Sequence, residues 1–248
     1  MDKAAAGAGT ARTVVITQSN YLPWRGYFDM LRSADEVILL DSVQYTRRDW
    51  RNRNKIKIAS GTAWLTVPVE VKGLYHQAID ETRVSDPAWA DGHRRAIDLA
   101  YKRAPHHAAV SGWLDPLLAS VAAEPMLSQI NEVLLRAICA RLGLTMPIRR
   151  CTDLLDKEAM REMDPTERLV QLAQAAGATR YLSGPAAKAY LDPALFAARG
   201  IAVDWMSYAG YRDYPQLWGA FEPQVSIVDL LFNTGDDAAR FLDRADPA

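Results

Sequence analysis

Thr13-Val14-Val15-Ile16-Thr17, then Gln18-Ser19-Asn20-Tyr21-Leu22-Pro23, then residues 24–33, then Glu36-Val37-Ile38-Leu39-Leu40-Asp41: this run decides the fold. The first block is β-branched and apolar between polar neighbours, the pattern of a short buried strand. Pro23 stands at a helix start, where its fixed φ fits and its missing N–H costs nothing. Tyr27, Phe28 and Leu31 then recur at helical spacing. The last block is a second apolar strand ending at Asp41. Strand, short helix and strand within about thirty residues form a βαβ unit, which implies a parallel sheet.

Working outward, residues 62–71 alternate as a strand does, and 69–82 read as loop and strand. Helical patterns cover 87–101, 104–118 and 127–142, the last stopped by Gly143. Beyond them, strands at 147–151, 180–183 and 201–206 alternate with helices at 165–176, 193–199 and 225–232. Such alternation predicts an α/β fold: a mainly parallel, Rossmann-like sheet with helices on both faces and a helical subdomain at about 85–145. Residues 1–11, opening on an Ala/Gly-rich stretch, read as a disordered leader, and 12–248 as a single α/β unit.

Composition narrows the function classes. Hydrophobic residues make up 49% and charged residues 24% of 248, enough apolar material for a sizeable core. A net charge of −1 argues against a nucleic-acid coat or an electrostatic membrane anchor. No apolar run reaches bilayer length, and two cysteines, Cys139 and Cys151, make no disulfide framework. These features predict a cytoplasmic protein with a small-molecule partner and neither membrane nor nucleic acid. Assembly into homo-oligomers stays open.

Three segments follow predicted strands, where open α/β sheets place ligands. The first is the turn carrying Gln18, Asn20, Tyr21, Pro23, Trp24 and Gly26. Its alternative is a turn plugged by aromatic side chains. The second runs from Ser42 to Lys57 and holds six cations against one anion. There Asp41, Gln44, Tyr45, Arg47, Arg48, Asn52, Arg53 and Lys55 suit an anionic substrate, since Arg offers a planar fork and Lys a point charge. A solvated basic loop guarding an edge strand is the alternative. The third is Tyr181-Leu182-Ser183-Gly184, with Lys188 beyond it, where backbone N–H groups of a turn and helix start can hold a phosphate. His76, in a polar segment, is an acid–base candidate because its ordinary pKa lies near neutrality. No His, Cys and Asp spacing matches a zinc site, and no cofactor is assigned.

Four strings together resemble the WbqC-like protein family: Gln18-Ser-Asn-Tyr-Leu-Pro-Trp-Arg-Gly-Tyr-Phe-Asp, Asp41-Ser-Val-Gln-Tyr-Thr-Arg-Arg-Asp-Trp-Arg-Asn-Arg-Asn-Lys-Ile, Tyr181-Leu-Ser-Gly and Ser226-Ile-Val-Asp-Leu-Leu-Phe-Asn-Thr-Gly. The resemblance runs from about Val14 to Gly235. It implies a biosynthetic role in surface-polysaccharide or natural-product assembly without naming a reaction. Ser19 stands where the family often has Pro. The opening also resembles that of the HIGH-type nucleotidylyltransferases, pantothenate synthetase among them. Trp24 and Tyr27 occupy the places of both histidines of their H-x-G-H pattern, so that resemblance implies fold and anion binding but not adenylyl transfer.

The function expected is a transferase acting on an anionic activated substrate: a nucleotide, a sugar nucleotide, or an acyl or aminoacyl donor. Arg47, Arg53 and Lys55 would hold the anion, Gln18, Asn20 and Tyr21 would orient the substrate, and Asp41 would bind a hydroxyl or amine or act as base. The alternative is a non-catalytic binding or scaffold protein that presents Trp24, Tyr27, Trp50 and Trp64 to a pathway partner.

Overall fold

A computed structural model describes residues 11–244; most of the expected leader lies outside them. Five parallel strands form the main sheet: β1 (Thr13–Thr17), β2 (Glu36–Leu39), β5 (Ile148–Arg150), β6 (Arg180–Ser183) and β7 (Ala202–Trp205). Their spatial order is β5-β2-β1-β6-β7. From β1 the chain builds outward through β2 to β5, then returns to pair β6 with the free side of β1, Thr13 opposite Arg180. The strand order therefore reverses between β1 and β6, and the crevice outside their carboxyl ends is the place where such sheets bind ligands. This is the Rossmann-like α/β architecture that the sequence predicts.

Side chains alternate across the sheet with the two-residue period of a strand. Val15, Val37 and Leu39 enter one hydrophobic cluster. Helix α1 (Arg25–Arg32), α2 (Trp89–Tyr101), α3 (His107–Ser120), α4 (Leu127–Arg141) and α8 (Ile227–Thr234) cover that face. Val14, Ile16, Ile38 and Leu40 enter a second cluster against α5 (Lys157–Glu162), α6 (Pro165–Ala175) and α7 (Pro193–Ala197).

A second, two-stranded sheet lies in the cation-rich segment. Strand β3 (Arg53–Ile58) pairs antiparallel with β4 (Gly61–Thr66), Arg53 opposite Thr66. The end of the segment, residues 53–57, is thus hairpin strand and not the solvated loop of the alternative reading. Asn54 and Ile56 face inward, so Arg53 and Lys55 project from the other side as the strand period requires. The helix expected beyond Ser183 is a five-residue 3-10 turn, Pro185–Ala189, too short to offer an α-helix N-terminus to a phosphate. Among the described residues no helix is long and apolar enough to cross a membrane.

Candidate functional site

A cavity of about 640 Å³ opens at the carboxyl end of the main sheet, within the size range of small-molecule sites. One wall comes from the exit of β1: Asn20, Pro23, Trp24 and Arg25. Tyr208, Tyr211 and Asp213, from the segment after β7, form the opposite wall, and Phe221 and Gln224 extend it. Trp50 and Asn54 stand at a third side.

Hydrogen bonds from distant parts of the chain fix the β1 exit. Leu22 holds a left-handed backbone, φ 42°, a conformation that a branched side chain takes only when its surroundings impose it. Asn54 on β3 donates to the carbonyls of Tyr21 (3.2 Å) and Leu22 (2.9 Å), and the Ser226 hydroxyl donates to that of Leu22 at 2.8 Å. Trp24 precedes α1 in extended conformation, and its indole lies back over the first turn. A side chain at position 26 would fall inside that ring, so Gly26 is what lets Trp24 line the cavity. The opposite wall is tied to α1 by Asp29, which is buried and accepts from the Tyr211 hydroxyl at 2.6 Å and from Arg32 Nε at 2.9 Å.

Arg25 is the chemically distinctive group. It is the first residue of α1 and only 5% exposed. Its guanidinium lies over the rings of Tyr211, Tyr214 and Phe221 at 4.8, 5.4 and 5.5 Å. Nη1 donates to the Arg212 carbonyl at 2.6 Å, while the buried Nε has no hydrogen-bond partner among the described residues. No carboxylate among them lies within ion-pair distance. Burial lowers the pKa of the guanidinium, outweighing the raising effects of Tyr214, Tyr211 and Asp213. A cation in the first turn also opposes the helix dipole. An unpaired buried charge is costly. An anion entering the cavity would meet both Arg25 and the positive end of α1.

The predicted site residues distribute differently. Of that set Asn20, Pro23 and Trp24 of the first candidate turn line the large cavity, and the Asn20 Oδ1 accepts from Arg51. Gln18 takes part through its carbonyl, which accepts from the Tyr27 hydroxyl at 2.9 Å. Tyr21 is fully buried and hydrogen-bonds His93 Nδ1 at 2.7 Å, while His93 Nε2 lies 3.2 Å from the Thr66 carbonyl. A carbonyl can only accept, so Nε2 carries the proton and Nδ1 accepts from Tyr21. Burial pushes His93 down to about 4, keeping it neutral. Asn52 is buried and donates to the Val67 carbonyl at 2.9 Å, and Tyr45 is buried too. Gln44 donates to the Tyr75 carbonyl at 2.8 Å, and Arg47 lies over the Tyr75 ring at 5.2 Å. His76 is exposed on the same stretch. Ser183 ends β6, buried, and Lys188 sits 5.5 Å over Trp205. Arg53 and Lys55 flank Trp64, at 4.0 and 5.2 Å from its ring centre.

Asp41 lines a separate, smaller cavity of about 120 Å³ with Ser42, Asp80, Glu132, Arg150 and Cys151. Its Oδ1 accepts from Ser19 N–H at 2.8 Å, tying the end of β2 to the turn after β1. Burial raises it to about 6, against the lowering effects of that N–H and of Arg51. Among the described residues no group of three or more His, Cys, Asp or Glu side chains is gathered for a metal ion.

The model of the WbqC-like protein family matches residues 18–241, nearly the whole chain and every wall of the cavity. The chain belongs to the WbqC-like protein family. The uncharacterized protein Rv1507c of Mycobacterium tuberculosis is 48% identical over 233 residues, 93% of this chain and 97% of that protein. No solved structure matches significantly. In this WbqC-like protein the residues that sequence reasoning passed over are Arg25, Tyr208, Tyr211, Asp213 and Phe221. Arg25 carried a signal: a cation in a helix's first turn is out of place unless something binds it. The segment 206–224 carried none, having neither helical nor strand period.

Proposed function

We propose that this WbqC-like protein is a biosynthetic transferase acting on an anionic activated substrate in surface-polysaccharide or natural-product assembly. One observation carries the reading: a buried, unpaired Arg25 at the N-terminus of α1, facing an aromatic-lined cavity beside the reversal of strand order. A planar guanidinium held over aromatic rings is preorganised for a phosphate or carboxylate and is dehydrated before the ligand arrives. Asn20, Asn54, Asp213 and Gln224 supply donors and acceptors around it for hydroxyls or amides, and Trp24, Tyr208 and Tyr211 supply faces for a ring. Asp41, tied to Ser19, positions the turn that carries Asn20.

The test is a thermal-shift screen of sugar phosphates, sugar nucleotides, amino acids and acyl-CoAs on wild type and Arg25→Met. A ligand at a hundred times its dissociation constant stabilises the native state by about 2.7 kcal/mol. The expected result is a hit that Arg25→Met loses, followed by release of the leaving group when an acceptor is added. A hit bound equally by both proteins overturns the Arg25 assignment. No hit in any class overturns the transferase reading in favour of a scaffold.

A further inference from the structure

The cavity does not end at its own rim. Trp50 lines it and is 40% exposed, and its ring lies 5.6 Å from that of Trp64, itself 43% exposed. Arg53 stacks on Trp64 at 4.0 Å and Lys55 approaches the same ring at 5.2 Å. Among the described residues neither cation has a carboxylate partner, and the buried Nε of Arg53 has no hydrogen bond. Its Nη2 is steered onto the carbonyl of Arg48, another residue with φ above zero (58°). Trp64 stands on β4 and Trp50 in the turn before β3, and two large indoles side by side at the surface form the kind of exposed apolar patch that marks a ligand surface. The arrangement combines what a nucleotide requires: an indole for the base and charged donors for the phosphates.

Resting on the transferase reading above, we propose that the activated substrate is a nucleoside-diphosphate conjugate. Its base stacks on Trp50, its phosphates meet Arg53 and Lys55, and its conjugated group enters the cavity toward Arg25. The tryptophan pair, Trp64 on β4 and Trp50 in the turn before β3, is then the handle for the carrier, and the cavity selects what is carried. Position explains the division: β3 supplies Asn54 to the cavity wall from its inner face and Arg53 and Lys55 to the platform from its outer face.

Intrinsic tryptophan fluorescence tests this on the full chain, with UDP, GDP, ADP, CDP, inorganic pyrophosphate and a short single-stranded RNA as probes. The expected result is saturable quenching by at least one nucleoside diphosphate, with affinity about tenfold above pyrophosphate, the contribution of one stacked base. Trp50→Ala should remove that advantage while leaving pyrophosphate binding in place, Trp50→Phe should restore most of it, and Arg53→Ala should weaken both probes about tenfold. Calorimetric titration replaces quenching for the tryptophan variants. A nucleoside diphosphate bound no better than pyrophosphate, or bound equally by wild type and Trp50→Ala, overturns the proposal. So does RNA bound more tightly than any nucleotide. The two readings fail separately: the transferase reading through Arg25→Met in the small-molecule screen, this one through Trp50 and Arg53.

Discussion

Arg25 and Asp41 are both buried at the carboxyl edge of the sheet, and burial works on each against its charge. For Asp41 the consequence is a measurable dependence on pH. Its folded pKa of about 6 lies above its ordinary value of 3.8, so between those values the folded protein binds more protons than the unfolded chain. Stability from this group is therefore full at low pH and falls as pH rises through about 6. His93 acts the other way. Its folded pKa of about 4 lies below its ordinary 6.5, so its contribution is full above 6.5 and is lost as pH falls toward 4. The two largely offset each other in the wild type. Asp41→Asn keeps an oxygen for Ser19 N–H and removes the penalty. It should raise stability at pH 7.5 by on the order of 2 kcal/mol, with the gain gone near pH 4. Urea unfolding at four pH values reads this, and a gain independent of pH would refute the burial account. Asp41 itself was legible at the end of an apolar run; its burial was not, because the residues around it, Glu132, Arg150 and Cys151 among them, come from far along the chain. Arg25 was legible as an oddity, yet a single cation in a helix's first turn is a weaker local signal than the run of cations after β2.

At the scale of elements, α1 and the β3–β4 hairpin do most to shape the site. Helix α1 begins with a residue pair, Trp24 and Gly26, that fit only each other. Gly26→Ala improves helix propensity by up to about 1 kcal/mol, but its methyl group must displace the indole, at an overpacking cost of about 1–3 kcal/mol. The expected variant folds, has a melting temperature at or below that of wild type, and loses affinity for the screen's hit about tenfold or more as Trp24 leaves the wall. Unchanged affinity would show that Trp24 is not a wall. The first two strands were readable because both of their faces are buried, so apolar residues run on without a break. The hairpin was not, although Asn54, Ile56 and Ile58 alternate with Arg53, Lys55 and Lys57. Its inward face mixes Asn with Ile, and on its other face Arg53 and Lys55 read as a charged loop while Lys57 is buried, its Nζ donating to Gln216. Asn54 is inside because two main-chain carbonyls need its amide, a reason that lies in the turn of residues 21 and 22.

For the whole molecule, one sheet divides two hydrophobic clusters, and strand residues of alternate parity belong to each. We therefore expect 12–244 to unfold as one unit, helices α2 to α4 included. Leu134→Ala, on α4 in one cluster, and Leu172→Ala, on α6 in the other, should each cost about 2–5 kcal/mol. Fluorescence and far-ultraviolet circular dichroism should give coincident transitions in both variants. A second transition appearing only in Leu134→Ala would make the helical part a domain of its own. Parallel pairing was legible from the βαβ opening, but the placement of β6 beside β1 was not, since local pattern says nothing about a partner that comes so much later in the chain. That same distance governs when the site comes into being. The Ser226 hydroxyl closes on Leu22 across 204 residues, and its N–H bonds the Lys55 carbonyl at 2.8 Å. A chain emerging from the ribosome has its first strands, its hairpin and Arg25 long before it has the residue that locks their turn. Until α8 clears the exit tunnel, the buried guanidinium and the exposed tryptophans stand open to whatever is nearby. Nascent chains halted before position 226 should be the ones that chaperones hold.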